Sequence, residues 1–288
     1  SRTLWSDAWK RLKKNKLAVI GAVWIVFVVL VALTADLWAP QLLGSPTDID
    51  TTTVAQSSKL PPSPEHPFGT DATGRDQLVR VIYGARVSLT VGVIATLIST
   101  GIGLVMGALA AFYGGWFDTI IMRLADMFLA IPYTLFVITM LAVMGQGIQN
   151  VFIAIGVLGW PSIARVFRSA ILSVKENDYV DAARAMGASD LRIIARHIFP
   201  NSVASIVVYA TMNIGGAILT ESALSYLGMG VTPPTPSWGI MIQDGQTFLQ
   251  TQPWLMIMPG LAILSTVLAF TLLGDGLRDA LDVKMKDA

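Results

Sequence analysis

The 288-residue sequence predicts an all-α, polytopic membrane protein with six transmembrane helices and both termini in the cytoplasm. Three observations point there. Only 14% of the residues are charged and 53% are hydrophobic, whereas ordinary soluble domains carry about 25% charge. The apolar residues are gathered into long charge-free runs, and a membrane-spanning helix needs about 20 such residues. The cations are gathered between those runs and divide unevenly between the two sides of the membrane. A mean hydropathy of +0.62 excludes a disordered chain. The net charge of +1 makes no case for nucleic acid. The lack of cysteine removes disulfides, thiol catalysis and thiolate metal sites. His66 and His197, the two histidines, leave little material for a metal centre.

Residues 1–16 carry six cations ahead of a long apolar run, with no small-residue cleavage site before Asp36. They are expected to be a cytoplasmic segment rather than a secretory leader. The charge-free runs are 17–35, 87–117, 127–164, 197–220, 222–243 and 245–274. The third is too long for one span and breaks at the polar turn Gly145–Asn150. The fifth is interrupted by Pro233-Pro234-Thr235-Pro236 and reads as a loop. Helices are therefore expected at 17–38, 87–113, 119–143, 151–170, 202–223 and 253–274. The organisation that follows is a first helix and outer loop over 17–86, and a core of five helices over 87–275. The core contains a cytoplasmic loop at 171–201 and an outer loop at 224–252, and a cytoplasmic tail occupies 276–288. With six spans, sixteen of the twenty Lys and Arg fall on the side of the termini. Lys59, Arg75, Arg80 and Arg86 fall on the other, which sets the orientation.

The second helix repeats small residues every fourth position, at Ala95, Ser99, Gly103, Gly107, Ala111 and Gly115. Such a face lets two helices approach closely in lipid, so it is a packing seam, internal or against another subunit. Pro132, Pro161 and Pro259-Gly260 are expected to bend their helices. Arg123 and Asp126, three residues apart, can pair on one face, as a structural ion pair or as a substrate contact. Glu221, the only acid in the fifth helix, is expected near a wet outer mouth, about 30 Å along from Ser202. Asn213-Ile-Gly-Gly216 lies mid-helix and would loosen that helix or line a polar path, so Asn213 and Glu221 are the candidate residues of the translocation path.

The cytoplasmic stretch 177–201 reads as two short amphipathic helices. Asn177 or Asp178 can cap the first, in which Tyr179, Ala182, Ala183 and Met186 fall at helical spacing. Gly187 breaks it, because glycine accepts a positive φ. Ser189 can cap the second, whose apolar stripe is Leu191, Ile194, Ala195 and Ile198, and Pro200 stops it. Such a pair suits either a docking element or a helix lying at the lipid interface.

Asp181-Ala182-Ala183-x-x-x-Gly187, with Ala188 and Ser189 following and Ile198-Phe-Pro200-Asn201 closing it, resembles the EAA loop of ABC-importer permeases. Asp181 stands where that loop usually has Glu. Further segments resemble the C-type permease of dipeptide, oligopeptide and nickel importers. They are His66-Pro-Phe68-Gly-Thr-Asp71-Ala-Thr-Gly-Arg75-Asp76, Tyr83–Leu89, Tyr226–Gly230, Pro233-Pro234-Thr-Pro-Ser-Trp238-Gly239 and Leu273–Asp282. The resemblance covers nearly the whole chain and implies a type I ABC-importer permease fold in a bacterial or archaeal cell membrane. It implies that Asp178, Tyr179, Asp181 and the residues through Pro200 enter a cleft of an ATPase subunit. It also implies the partners: a second, B-type permease, two ATPases that bind ATP and Mg, and an extracytoplasmic binding protein. Phe68, Asp71, Arg75, Asp76, Pro233, Pro234 and Trp238 are the candidate docking residues for that binding protein. Trp238 alone would equally suit the bilayer interface.

The chain has no G-x-x-x-x-G-K-[ST] and no Gly-Lys pair, so no phosphate-cradling loop and no cofactor is expected in this polypeptide. An ion-coupled secondary transporter is the first rival, but no internal repeat is evident. An intramembrane hydrolase is the second. Gly274-Asp-Gly276 lacks a second inner acid, and neither H-E-x-x-H nor G-x-S-x-G occurs. A channel would have no use for the docking loop.

Overall fold

The computed structural model describes residues 4–49 and 53–281. It is helical throughout the spans, and five helices are each long and apolar enough to cross a membrane. A bent pair supplies the sixth span if counted as one.

Helix α1 (Leu4–Leu12) turns its Ala8 and Leu12 inward against Ala18 and Ala280. Helix α2 (Lys16–Leu43) starts where the Asn15 side chain accepts the Ala18 N–H at 3.2 Å. Only small residues on one edge of α2 are buried, among them Ala18, Gly21, Ala32, Ala35 and Ala39. The rest faces outward with Ile20, Val23, Phe27 and Leu30, the lipid-facing pattern of a peripheral span. The helix runs beyond the expected residue 38 to Leu43, with Pro40 inside its last turn.

After a loop holding the short helix α3 (Val54–Ser57), Asp76 accepts the Val79 N–H at 3.0 Å and starts α4 (Gln77–Tyr113). This helix begins ten residues before the expected residue 87. A charge-free criterion excluded Arg80 and Arg86, but Arg80 pairs with Asp71 and Arg86 with Asp36 across to α2 at 2.9 Å. Paired charges at the end of a span do not end a helix.

The expected helix 119–143 is two helices, α5 (Gly115–Ala130) and α6 (Tyr133–Met144), bent by 88°. Pro132 disfavours the helical region for the residue before it, and Ile131 sits extended at φ −89°, ψ 132°. The next span, expected at 151–170, is α7 (Ile148–Leu158) and α8 (Trp160–Lys175), joined at Gly159 with Pro161 in the first turn of α8, where a missing N–H costs nothing.

Helix α9 (Asp178–Ala185) and the single turn α10 (Asp190–Ile193) follow. A π turn, Ile194–Ile198, then runs directly into α11 (Phe199–Tyr226). Pro200 therefore does not stop the second loop helix. It lies in the first turn of α11, which tolerates proline. Helix α12 (Trp238–Gly245) lies in the stretch read as loop, and Ser237 caps it by accepting the Ile240 N–H at 3.3 Å. Helix α13 (Trp254–Leu281) continues past the expected residue 274. Arg2, Asp282, Lys284 and Lys286 lie outside the described residues.

Helix α4 is the mast. Ala95, Ser99, Gly103, Gly107 and Ala111 are all buried, and the seam is internal. A Cβ on Gly103 would stand 2.7 Å from Ile163 Cβ, and one on Gly107 2.6 Å from the Ala164 carbonyl oxygen. From the facing side, a Cβ on Gly156 would meet Ile98 at 2.7 Å. Gly115, read as the last seam residue, instead begins α5 in the exposed turn at φ +54°.

Candidate functional site

The loop at 171–201 hangs on an apolar anchor. Val180 and Ala183 of α9 pack with Phe167 and Ile171 of α8, and with Ile193, Ile198 and Ile206 that lead into α11. The inward face of α9 is thus Val180–Ala183, while Tyr179, Ala182 and Met186 point outward, Met186 at 83% exposure. Asp178, Asp181, Gly187, Ser189 and Pro200 are exposed and Ala188 is half-buried. The Asn177 carbonyl accepts the Val180 N–H at 2.9 Å at the start of α9. The Asn177 side-chain amide donates to the Ser173 and Val174 carbonyls and closes the end of α8. Gly187 turns the chain at φ +81°, a region that L side chains rarely occupy. In the second apolar stripe Ile198 is buried and Ile194 half-buried, whereas the side chains of Leu191 and Ala195 lie outside those described. The result is a finger between α8 and α11 with an apolar inner face, Val180 and Ala183, and an exposed outer one.

Arg123 and Asp126 approach only to 4.0 Å. Asp126 pairs instead with Arg165 across to α8, and Arg168 grips Asp118 with two bonds of 2.5 Å. The charges at the inner end of α5 thus hold α5 to α8.

At the outer end, Asp71 is a hub. One oxygen accepts from the Thr73 N–H and hydroxyl at 2.8 Å and from the Arg75 N–H at 3.0 Å. The other accepts from Arg75 Nε at 2.8 Å and from the buried Arg80 guanidinium. Burial works to raise the Asp71 pKa, but the guanidiniums of Arg80 and Arg75 outweigh it and hold the carboxyl below its ordinary value. Asp244, 3.6 Å from Arg80, is pushed up by burial against the pull of that same arginine. Asp76 caps α4 and meets His66 Nδ1 at 2.9 Å. Asp71 and Asp76 therefore build the loop, and their carboxylates are buried within it.

Trp238 is 1% exposed. Its Nε1 donates to the Val81 carbonyl at 2.9 Å, and its ring lies against Gly84, where a Cβ would stand 2.9 Å away. It is neither a partner anchor nor an interfacial one: the missing side chain at Gly84 opens a slot into which α12 inserts its first residue. Pro233 and Pro234 are exposed at the tip of the preceding segment. Phe68 is half-buried on an apolar groove of about 660 Å³ between α2, α4 and α13.

Asn213 lies on the wall of a cavity of about 300 Å³, with Tyr133, Ser162, Tyr209 and Thr220. The cavity forms where α6 bends away and where Gly159 and Gly216 leave space between α8 and α11. Tyr133 donates to the Ile155 carbonyl at 2.9 Å, and Asn213 to Ser99 Oγ at 3.5 Å. Glu221 is not wet and is not among the residues that line this cavity. It is fully buried one turn beyond Ala217 and bonded to serines. Hydropathy placed it by depth alone, and one of the serines that hold it, Ser88, comes from a distant part of the chain. Tyr133 and Tyr209 were missed because each reads as an ordinary helix residue, and only the bend at Pro132 brings Tyr133 toward α11.

A bundle of bent, small-residue-packed spans with a helical finger between two of them defines a membrane permease subunit. The inward-facing MetNI methionine ABC transporter shares the fold, with a TM-score of 0.60 at 18% identity over 71% of this chain and 97% of that one. An amino acid ABC transporter also matches, with a TM-score of 0.56 at 15% identity over 69% and 94%. The chain belongs to the family of binding-protein-dependent transport system inner membrane components, whose pattern matches residues 102–287. Residues 3–62 match the N-terminal transmembrane domain of oligopeptide transport permease C. The chain is 44% identical to the dipeptide transport system permease protein DppC of Alkalihalophilus pseudofirmus, over 98% of this chain and 90% of that one. It is 42% identical to the glutathione transport system permease protein GsiD of Escherichia coli, over 99% and 92%. It is thus a multi-pass inner-membrane subunit of an ABC importer.

Proposed function

We propose that this chain forms half of the translocation pathway of an ATP-driven peptide importer, with a second permease of B type completing it. Dipeptide and glutathione permeases are both close relatives, and both names denote short peptides. The sixteen-to-four division of cations supports cytoplasmic termini. In that orientation residues 171–201 face the cytoplasm and 224–252 the outside. Two separate ATPase subunits bind ATP and Mg and receive the finger through Asp178, Tyr179, Asp181, Ala182, Met186 and Gly187. An extracytoplasmic binding protein delivers substrate to the outer loops, where Pro233 and Pro234 are exposed. The substrate path passes Asn213, Tyr133 and Tyr209. The chain itself hydrolyses nothing.

The observation that carries the reading is the finger, whose inner face is anchored by Val180 and Ala183 and whose Gly187 turn is exposed. A Cβ on Gly187 finds open space within 4 Å. Gly187→Trp therefore strikes only an external partner, and Gly187→Asn controls for the strained backbone, since Asn tolerates positive φ. In reconstituted importer, Gly187→Trp is expected to lower uptake at least tenfold while ATP hydrolysis persists, with Gly187→Asn near wild type. Normal uptake in the Trp variant would remove the coupling assignment.

A further inference from the structure

Glu221 sits in the membrane-spanning part of α11 at 0% exposure, and it forms no salt bridge among the described residues. A buried carboxylate persists only where hydrogen bonds satisfy it. Here hydroxyls do so. Ser225 donates to Oε1 at 2.7 Å, Ser88 of α4 to Oε2 at 3.0 Å, and Ser222 to Oε2 at 3.4 Å. Ser237, the cap of α12, lies beside the same carboxylate. All four serines are buried.

Two of these serines hold the outer segment. Ser225 Oγ accepts the Val231 N–H at 3.3 Å, and Ser237 Oγ accepts the Ile240 N–H at 3.3 Å. Donating to Glu221 fixes the Ser225 hydroxyl so that its lone pair faces the Val231 N–H. Two glycines let that segment lie flat on α11. A Cβ on Gly230 would stand 2.1 Å from Ser225 Oγ, and one on Gly239 2.2 Å from the Ser222 carbonyl oxygen. The same segment reaches the turn between α6 and α7, where Gln146 donates to the Gly228 carbonyl at 2.8 Å.

We propose that Glu221 is a positioning residue of the extracytoplasmic surface. Through Ser225 and Ser237 it fastens residues 228–240 across the outer ends of α4 and α11, and so sets the position of the exposed Pro233-Pro234 tip. The statement about the tip rests on the docking role proposed above, whereas the fastening does not.

Amide exchange on the whole importer in nanodiscs, resolved to single residues, tests the fastening. In Glu221→Leu, the amides of both Val231 and Ile240 are expected to exchange at least tenfold faster, with α13 unchanged. Ser225→Ala is expected to free Val231 alone, and Ser237→Ala Ile240 alone. Glu221→Gln keeps an acceptor oxygen and is expected to restore most of the protection. Wild-type protection in Glu221→Leu would overturn the proposal. So would equal acceleration in α13, or a Gln variant no better than Leu, since either outcome describes mere space-filling. If the Leu variant does not assemble, the two serine variants decide, and protection unchanged in both overturns it. Binding-protein affinity on the same samples separates the two readings. Freed amides with weakened docking support both, and freed amides with unchanged docking uphold Glu221 while removing the docking role of the tip.

Discussion

Placing a methyl group on Gly107 sets α4 against the backbone of α8. The added Cβ would lie 2.6 Å from the Ala164 carbonyl oxygen, and ordinary contact begins at 3.4 Å. The two helices must therefore part by about 0.8 Å along a seam that is close-packed on both sides. A backbone oxygen has no rotamer to yield, so the cost falls in the overpacking range of about 1–3 kcal/mol. Gly101, on the same helix, has nothing within 4 Å of its Cβ. Gly101→Ala gains the same helix propensity as Gly107→Ala, up to about 1 kcal/mol, and this common gain cancels in the comparison. Gly107→Ala should thus be less stable than Gly101→Ala by about 1–3 kcal/mol, roughly a five- to 150-fold change in the unfolding equilibrium. Reversible unfolding in mixed micelles, followed by tryptophan fluorescence, measures the difference. Equal stability of the two variants would refute the internal seam and return this face of α4 to a contact outside the chain.

Two other substitutions probe the outer end. Because the guanidiniums of Arg80 and Arg75 overcome burial and hold the Asp71 carboxyl below its ordinary value, its contribution is complete above about pH 4 and is lost as pH falls through the depressed value. Asp71→Asn should cost about 3 kcal/mol at neutral pH by stranding the buried Arg80. It should also flatten the acid limb of a melting-temperature profile, and parallel limbs for mutant and wild type would contradict the hub. Trp238→Ala empties a fully buried site and should cost about 3–5 kcal/mol. Trp238→Phe should cost about 1 kcal/mol for the bond to Val81 and leave binding-protein affinity unchanged. A large loss of affinity in the Phe variant, with stability kept, would put Trp238 back on the docking surface.

The apolar runs were legible because lipid requires them, and the Gly187 turn because glycine accepts a positive φ at no steric cost. The seam could be read as a seam, but not its partner, since spacing reports a face and not what meets it. Helix boundaries failed where charge stood in for structure: Arg80 and Arg86 lie inside α4 and are neutralised by Asp71 in the preceding loop and by Asp36 of α2, 50 residues away. Trp238 failed for a related reason. A proline-rich approach to an aromatic reads as a surface anchor, and only the slot at Gly84, 154 residues earlier by number, shows that the ring is a core pin. Glu221 is the extreme case, since Ser88 comes to it from α4, 133 residues away.

The same contacts decide how a displacement at the finger would travel. The finger is continuous with α8 on one side and α11 on the other. Helix α8 lies within overpacking distance of α4 at Gly103 and Gly107, so α8 does not slide along α4 without breaking a close-packed seam. Salt bridges from Arg165 and Arg168 bind α5 to the same unit. Against α11, by contrast, α8 and α7 leave the cavity lined by Tyr133, Ser162 and Asn213. The chain therefore has a tight block, α4 with α8, and a cavity between that block and α11 at mid-depth. Toward the outer end α11 closes on α4 again, where a Cβ on Gly92 would stand 2.7 Å from Ile218 and where Ser88 meets Glu221. A displacement of the finger would therefore reach α4 through α8, and the cavity at Asn213 through α11.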